Sequence, residues 1–407
     1  LEETVSGARR RERVLLAVLT AVQFCHILDF VILMPLGPQL MRAFGITPRE
    51  FALLVSAYTF SAAGAGLFAA LLMDRFDRKR MLLVLLSGFG VGTLLCGVAP
   101  TFGLLLMARV AAGAFGGVLA GVVFAILGDQ IPPERRGRAT GVVMAGFSAA
   151  SVLGLPLGLS LAERFGWHTP FVLLAGVTAA VVAAGALALP PMRAHLSAPR
   201  ARSAVGGLWD VAREPAHLRA LGFTVALMFA GFTVVPFLSP YLTANAGLAE
   251  ARLDLVYLVG GLATLFTGPA MGWLADRFGH ARVFTGAALV SVIPIVAVTN
   301  LPRVPMPLIL AVTTTMMVMA SGRMISATAL VTGVVEPARR GSFMSLNAAV
   351  QQGAAGAATF VGGLMIGRAA DGRITGYAGV GLLAVAANLL TLWLVRRLRA
   401  PQAVAGD

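Results

Sequence analysis

Polar and apolar positions along this chain segregate on a long scale, with apolar runs of roughly 20 residues separated by short polar, mostly basic stretches. A helix of about 20 residues spans the ~30 Å hydrocarbon core of a bilayer. In hydrocarbon every backbone N–H and C=O must be satisfied within the segment, so runs this long and apolar are predicted as helices. Twelve can be drawn, at 14–40, 50–73, 81–99, 103–128, 139–162, 170–190, 220–243, 253–275, 283–300, 305–333, 341–366 and 376–395. The expected fold is an all-α membrane protein of twelve transmembrane helices.

Composition agrees. The chain is 58% hydrophobic and 12% charged, with mean hydropathy +0.85, whereas a soluble domain carries about 25% charged residues to wet its surface. The formal net charge of +14 raises the question of nucleic acid, and the placement of the basic residues answers it. With the N-terminus set in the cytoplasm, 23 of the 32 Lys and Arg residues fall in loops on the inner side and seven on the outer side. That is the positive-inside bias of a protein with an even number of spans and both termini inside. A bacterial inner-membrane protein is expected, with membrane lipids as its surroundings and no nucleic acid as partner. The first apolar run is too long for a cleavable signal peptide. Cys25 and Cys96 lie in apolar runs without a CxxC spacing, which points to small buried hydrophobes and away from a disulfide or metal site. No Gly-rich nucleotide loop, metal-ligand cluster or nucleophile–base constellation stands out, so neither an enzyme nor ATP-driven transport is expected, and no cofactor.

The chain also repeats itself. Asp74-Arg75-Phe76 recurs as Asp276-Arg277-Phe278, and Arg135-Arg136-Gly137 as Arg339-Arg340-Gly341, at offsets of 202 and 204 residues. Both offsets are close to half the length. This divides the chain into an N-terminal six-helix bundle at 1–190, a polar linker at 191–219 and a C-terminal six-helix bundle at 220–407. Trp209 in the linker suggests a short amphipathic helix on the membrane surface. Two repeated halves suit alternating access, in which one half rocks against the other.

These motifs resemble those of major facilitator superfamily transporters, in particular the drug/proton-antiporter and sugar-efflux branch. Gly272-Trp273-Leu274-Ala275-Asp276-Arg277-Phe278-Gly279 is similar to the family's Gly-x-Leu-Ala-Asp-Arg-x-Gly loop. The first copy keeps Asp74, Arg75 and the basic run Arg78-Lys79-Arg80, but has Ala70 and Asp77 where glycines are usual. Arg109-Val110-Ala111-Ala112-Gly113 resembles the family's Arg-x-x-Gln-Gly, with Ala112 in place of Gln. Gly146 and Gly154-Leu155-Pro156-Leu157-Gly158 resemble its antiporter motif, with Leu155 between Gly and Pro. The resemblance covers essentially the whole chain. It implies two pseudo-symmetric six-helix bundles, a monomer, and secondary active efflux of a small hydrophobic or amphiphilic solute, such as a drug, sugar or metabolite, coupled to protons. A lipid or lysolipid transporter of the same fold is the alternative.

Individual residues carry these expectations. Asp29 is the one carboxylate clearly inside a span, where an ionised Asp costs about 2.5–3.5 kcal/mol on insertion scales and needs a partner or a proton. Burial favours the neutral form of a carboxyl and a nearby cation the charged form, so a carboxyl between those pulls can load and release a proton. The resemblance pairs it with Arg109; a permanent structural ion pair is the competing reading. His26, one turn earlier, is a proton relay or a polar packing residue. Arg323 has no obvious intramembrane acid in its own half and is read as a substrate contact or as a carbonyl-bonded, snorkelling Arg. Tyr58, Phe232, Tyr257, Asn347 and Gln351 are candidate cavity-lining residues; together with Pro236, Tyr241 and Gln352 they would suit a neutral or amphiphilic solute. The resemblance implies a cytoplasmic latch involving Asp74, Arg75 and Arg78, which meets the start of the eleventh helix near Gly341. For Asp276 and Arg277 in the second copy, a latch and a purely topological role both stay open. Gly154, Pro156 and Gly158 mark either a flexible seam or static close packing, with Pro156 kinking the fifth helix.

Overall fold

A computed structural model describes residues 2–72, 75–193, 196, 213–336 and 339–398, with the side chains of residues 2–9, 70–72 and 133 left aside. Asp74, Trp209 and nearly all of the linker thus lie outside the described residues, and the latch and surface-helix expectations that rest on them stay with the sequence.

Among the described residues the chain is built of helices, with one two-residue hairpin, Gly367–Arg368 against Ile374–Thr375. In order these are α1 Glu2–Ile32, α2 Gly37–Phe44, α3 Pro48–Leu72, α4 Arg78–Val98, α5 Phe102–Gln130, α6 Pro133–Ala149, α7 Leu155–Phe165 and α8 Thr169–Ala188. After the linker come α9 Pro215–Phe232, α10 Leu238–Ala244, α11 Leu253–Phe278, α12 His280–Thr299, α13 Met306–Gly333, α14 Arg340–Met365 and α15 Tyr377–Val395.

Eleven helical stretches among the described residues are long and apolar enough to cross a membrane. The run predicted at 341–366 is also a helix, the 26 residues of α14. Its Asn347, Gln351 and Gln352, with Ser342 and Ser345, make it the most polar of the predicted spans. Two spans are composite. The fifth runs from α6 through one π-helical turn, Ala150–Gly154, into α7, where Pro156 sits in the first turn. Proline has no N–H to donate within this continuous helical span, and the π turn just before it accommodates the change of register. The seventh passes from α9 into α10 through a 3-10 turn at Val235–Phe237 that contains Pro236.

Contacts divide the chain into two compact units. One comprises residues 1–33 and 57–201; the other comprises 34–56 and 202–407. The first unit has a core of Leu15, Leu19, Val22, Leu86, Phe89, Val122, Ile126 and neighbours from α1, α4 and α5. In the second, Phe223 of α9 lies 5.0 Å from Phe284 of α12, within a cluster that also takes in Val331 and Phe343. Large apolar side chains such as Phe68, Met107, Phe266 and Ile293 are exposed, a pattern compatible with lipid as the solvent of the surface.

The loop between α3 and α4 shows why Asp77 stands in place of a motif glycine. Its carboxylate caps α4 by accepting from the Lys79 and Arg80 backbone N–H groups. It also accepts from Arg193 Nε at 2.9 Å and from the Met192 N–H at 3.3 Å, which fastens the end of the α8 segment to the start of α4. Lys79 Nζ completes the clasp by donating to the Ala186 and Leu189 carbonyls. Burial opposes ionisation of Asp77, but the Arg193 bond and three backbone N–H groups outweigh it and hold its pKa below the usual carboxylate value. A depressed carboxylate stabilises the fold above its unfolded pKa of ~3.9, and that contribution is lost as pH falls through the lower folded value. Asp77→Asn is therefore expected to lower the melting temperature at neutral pH and to flatten the acid limb of a stability profile measured by thermal unfolding. Removing the cap altogether, as in Asp77→Ala, costs ~0.5–2 kcal/mol.

Candidate functional site

The candidate site is assembled inside the first unit, where α1, α3, α4 and α5 meet. Asp29, on the last turn of α1, and Arg109, in the second turn of α5, are both fully buried. Arg109 Nη1 donates to Asp29 Oδ2 at 2.8 Å and lies 3.4 Å from the Asp29 carbonyl oxygen. Thr93 of α4 donates to the other carboxylate oxygen, Oδ1, at 3.0 Å. Both oxygens are thus satisfied, which is the condition for an ion pair to persist away from water. Two donors of the guanidinium, Nε and Nη2, have no hydrogen-bond acceptor; beside it lies the Cys96 thiol.

Tyr58 of α3, expected as a cavity-lining residue, is 1% exposed and belongs to this cluster. The Arg109 Cζ lies 4.4 Å from its ring centroid, a cation–π distance. Phe30, next to Asp29 in sequence, stacks on the same ring at 5.5 Å. Glycines of α5 make the bed for it: a Cβ on Gly113 would stand 2.3 Å from the Tyr58 carbonyl oxygen, and one on Gly116 would stand 2.5 Å from the Tyr58 hydroxyl. The hydroxyl itself is buried without a partner.

His26 presents a buried Nδ1 with no partner, and Gln23, one turn earlier, an Oε1 in the same condition. Around this part of α1 the fifth span approaches closely. A Cβ on Gly146 would meet the Thr20 carbonyl oxygen at 2.5 Å, one on Gly154 the Leu28 side chain at 2.9 Å, and one on Gly158 the Ile32 side chain at 2.8 Å. At the other end of α5, Arg78 Nε donates to Asp129 at 3.0 Å. Arg75 is exposed.

In the second unit the expected residues fall into separate small networks. Arg323 of α13 is 4% exposed and donates through Nη1 to Asn388 Oδ1 of α15 at 2.6 Å, while Asn388 Nδ2 donates to the Ala288 carbonyl of α12 at 2.6 Å. Its Nε and the hydroxyl of Ser326, one turn on, are without partners. Asn347 accepts from Thr224 at 2.7 Å, across α14 and α9. Tyr257 and Ser239 share a hydroxyl–hydroxyl bond of 2.8 Å. Gln351 reaches the Met324 sulfur at 3.9 Å, and the Phe232 carbonyl accepts from Thr359 at 3.2 Å. Asp276 is largely exposed, 3.7 Å from His280 Nε2. The Arg277 guanidinium stands 5.3 Å over Trp273 and 5.5 Å over Phe278, both exposed.

Thr93 and Asn388, the partners of Asp29 and Arg323, carry no mark in the sequence, and Asp77 enters it only as a departure from the motif. Asp77 carried a readable signal, an Asp immediately before a helical run. A threonine or asparagine in an apolar helix carries none until a partner is placed beside it.

A bundle of membrane-length helices with a buried acid–base pair is the architecture of a membrane transporter. The chain belongs to the Major Facilitator Superfamily, whose family model matches residues 19–233 and again 220–406. The family consists of transporters, not enzymes, and the chain is accordingly a multi-pass membrane transporter. It is 29% identical over 273 residues to the uncharacterized MFS-type transporter YceJ of Bacillus subtilis, covering 66% of this chain and 68% of that protein. It is 24% identical to a Pasteurella multocida protein named "Probable sugar efflux transporter", over 60% of this chain and 58% of the relative. Its fold is that of the nucleoside transporter NupG, with a TM-score of 0.76 over 95% of this chain and 99% of NupG at 12% identity.

Proposed function

We propose that this transporter expels a small neutral or amphiphilic solute from the bacterial cytoplasm in exchange for protons, with Asp29 as the proton-carrying group. The observation that carries the reading is the fully buried Asp29–Arg109 pair. A carboxylate there is stable while Arg109 and Thr93 hold it, and stable again when neutral, because burial favours the protonated form. Such a group alternates between two states at similar cost, which is what coupling to a proton gradient requires. His26, one turn away, is the proposed route by which protons reach it.

The two matched segments support two six-helix halves at 1–190 and 220–407. The protein then sits in the cytoplasmic membrane with both termini inside and works as a monomer. Arg323, Phe232, Tyr257, Asn347 and Gln351 in the second unit, with few charges among them, are the proposed solute contacts, and the Arg78–Asp129 bond belongs to the proposed cytoplasmic gate. The sugar-efflux relatives make a polyhydroxylated solute the first to try, followed by drug-like dyes.

The test is transport by purified protein in liposomes under an imposed pH gradient, with a radiolabelled sugar and a fluorescent cationic dye as probes. Wild type is expected to move at least one probe against its concentration when the gradient is imposed, and Asp29→Asn to lose that response while inserting normally. Transport indifferent to the gradient, or unchanged in Asp29→Asn, would reject proton coupling. Movement of a fluorescent lysolipid without pH dependence would replace this reading by lipid transport on the same fold.

A further inference from the structure

The buried pair raises a physical question: what holds Arg109 when Asp29 is neutral? Among the described residues Asp29 is the one acid in contact with the guanidinium. A buried guanidinium stripped of its counter-ion is costly. Something else in the cluster must share its charge if protonation is to be accessible.

We infer that the ring of Tyr58 is that second holder, a positioning residue that keeps Arg109 in place while Asp29 carries a proton and so sets the pH at which Asp29 loads. Three observations converge on it. The guanidinium carbon lies 4.4 Å from the ring centroid, on a ring 1% exposed to solvent, and a cation–π contact is strongest when desolvated. The ring is fixed on several sides: Phe30 stacks against it, and Gly113 and Gly116 admit its backbone and hydroxyl where no side chain would fit. The hydroxyl makes no hydrogen bond, so the phenyl face, not the OH, is the working part.

The sign follows from the geometry. The negative ring face attracts Arg109 most when the carboxyl is neutral and no longer draws the guanidinium away. This favours the protonated state. The other groups around the carboxyl are Thr93 and Cys96 on α4, with Cys25 on α1. Among the described residues Arg109 is the one permanently charged group in contact with it.

This inference rests on the reading of Asp29 as the proton carrier, and the experiment separates the two. Infrared titration of the purified protein follows the carbonyl stretch of a protonated carboxylic acid without needing a solute. Asp29→Asn identifies the band by its loss. Tyr58→Phe keeps the ring and is expected to titrate as wild type, whereas Tyr58→Leu moves the midpoint toward acid, by up to about one and a half pH units, because only the part of the contact that differs between the two protonation states counts. If Asp29→Asn leaves every carboxyl band unchanged, the carrier has been misassigned. If that variant removes a band whose midpoint is the same in Tyr58→Leu, or if Tyr58→Phe shifts it as far as Tyr58→Leu does, the role given to the ring is wrong and Asp29 stands.

Discussion

Replacing Arg109 by alanine is expected to destabilise the first unit by about 3–5 kcal/mol, the range for removing one member of a buried ion pair. Asp29 would be left in the core with Thr93 as its one remaining hydrogen-bond partner among the described residues. It would stay neutral and cease to respond to pH. Thermal unfolding in detergent and the yield of monodisperse protein measure the first effect, and the loss of gradient-driven transport measures the second. The double variant Asp29→Leu with Arg109→Met separates them. Replacing both charges by apolar groups of similar size is often neutral for stability, so the double variant is expected to fold as well as wild type and still not couple. A double variant as unstable as Arg109→Ala alone would mean that the pair is a structural element whose geometry, not its charge, matters.

The second large effect is steric. Gly113→Ala places a Cβ 2.3 Å from the Tyr58 carbonyl oxygen and 2.9 Å from both its carbonyl carbon and Cα. These are backbone atoms of α3 and cannot rotate away, so the two helices must separate at the level of the ion pair. Overpacking a tight contact costs ~1–3 kcal/mol, occasionally more, and here it also draws the Tyr58 ring from Arg109. Gly103→Ala and Gly128→Ala on the same helix, where a Cβ meets nothing within 4 Å, are expected to be silent or slightly stabilising through helix propensity. Melting temperatures of the three variants, compared side by side, give the answer. Equal behaviour of all three would show that α3 and α5 pack less closely than described.

Much of the architecture was legible along the chain. A helix in hydrocarbon satisfies its own backbone, so span length and position follow from local composition alone. The predicted run at 103–128 matches α5 at Phe102–Gln130, and that at 283–300 matches α12 at His280–Thr299. Where local rules compete, the reading was coarser. The run at 139–162 hides a π turn, and the run at 220–243 hides a break at Pro236, because hydrophobicity is indifferent to how a proline is accommodated.

The site divides in the same way. Asp29 and Arg109 drew attention because ions are rare in apolar helices, and they do meet. Tyr58 was noticed as an aromatic near a cavity, but its place against Arg109 depends on α3 and α5 closing over glycines 55 and more residues away in sequence. Arg323 has no intramembrane acid near it in its half; its partner is the neutral Asn388, 65 residues on, a residue type that gives no signal in isolation. What the sequence by itself determined is therefore whatever the bilayer enforces locally: helix, span length, the repeat, and the two ions that needed explaining. Which side chain each ion leans on was decided only by tertiary packing, because a buried charge is stabilised by the few atoms within about 4 Å of it, and helices remote in sequence supply them.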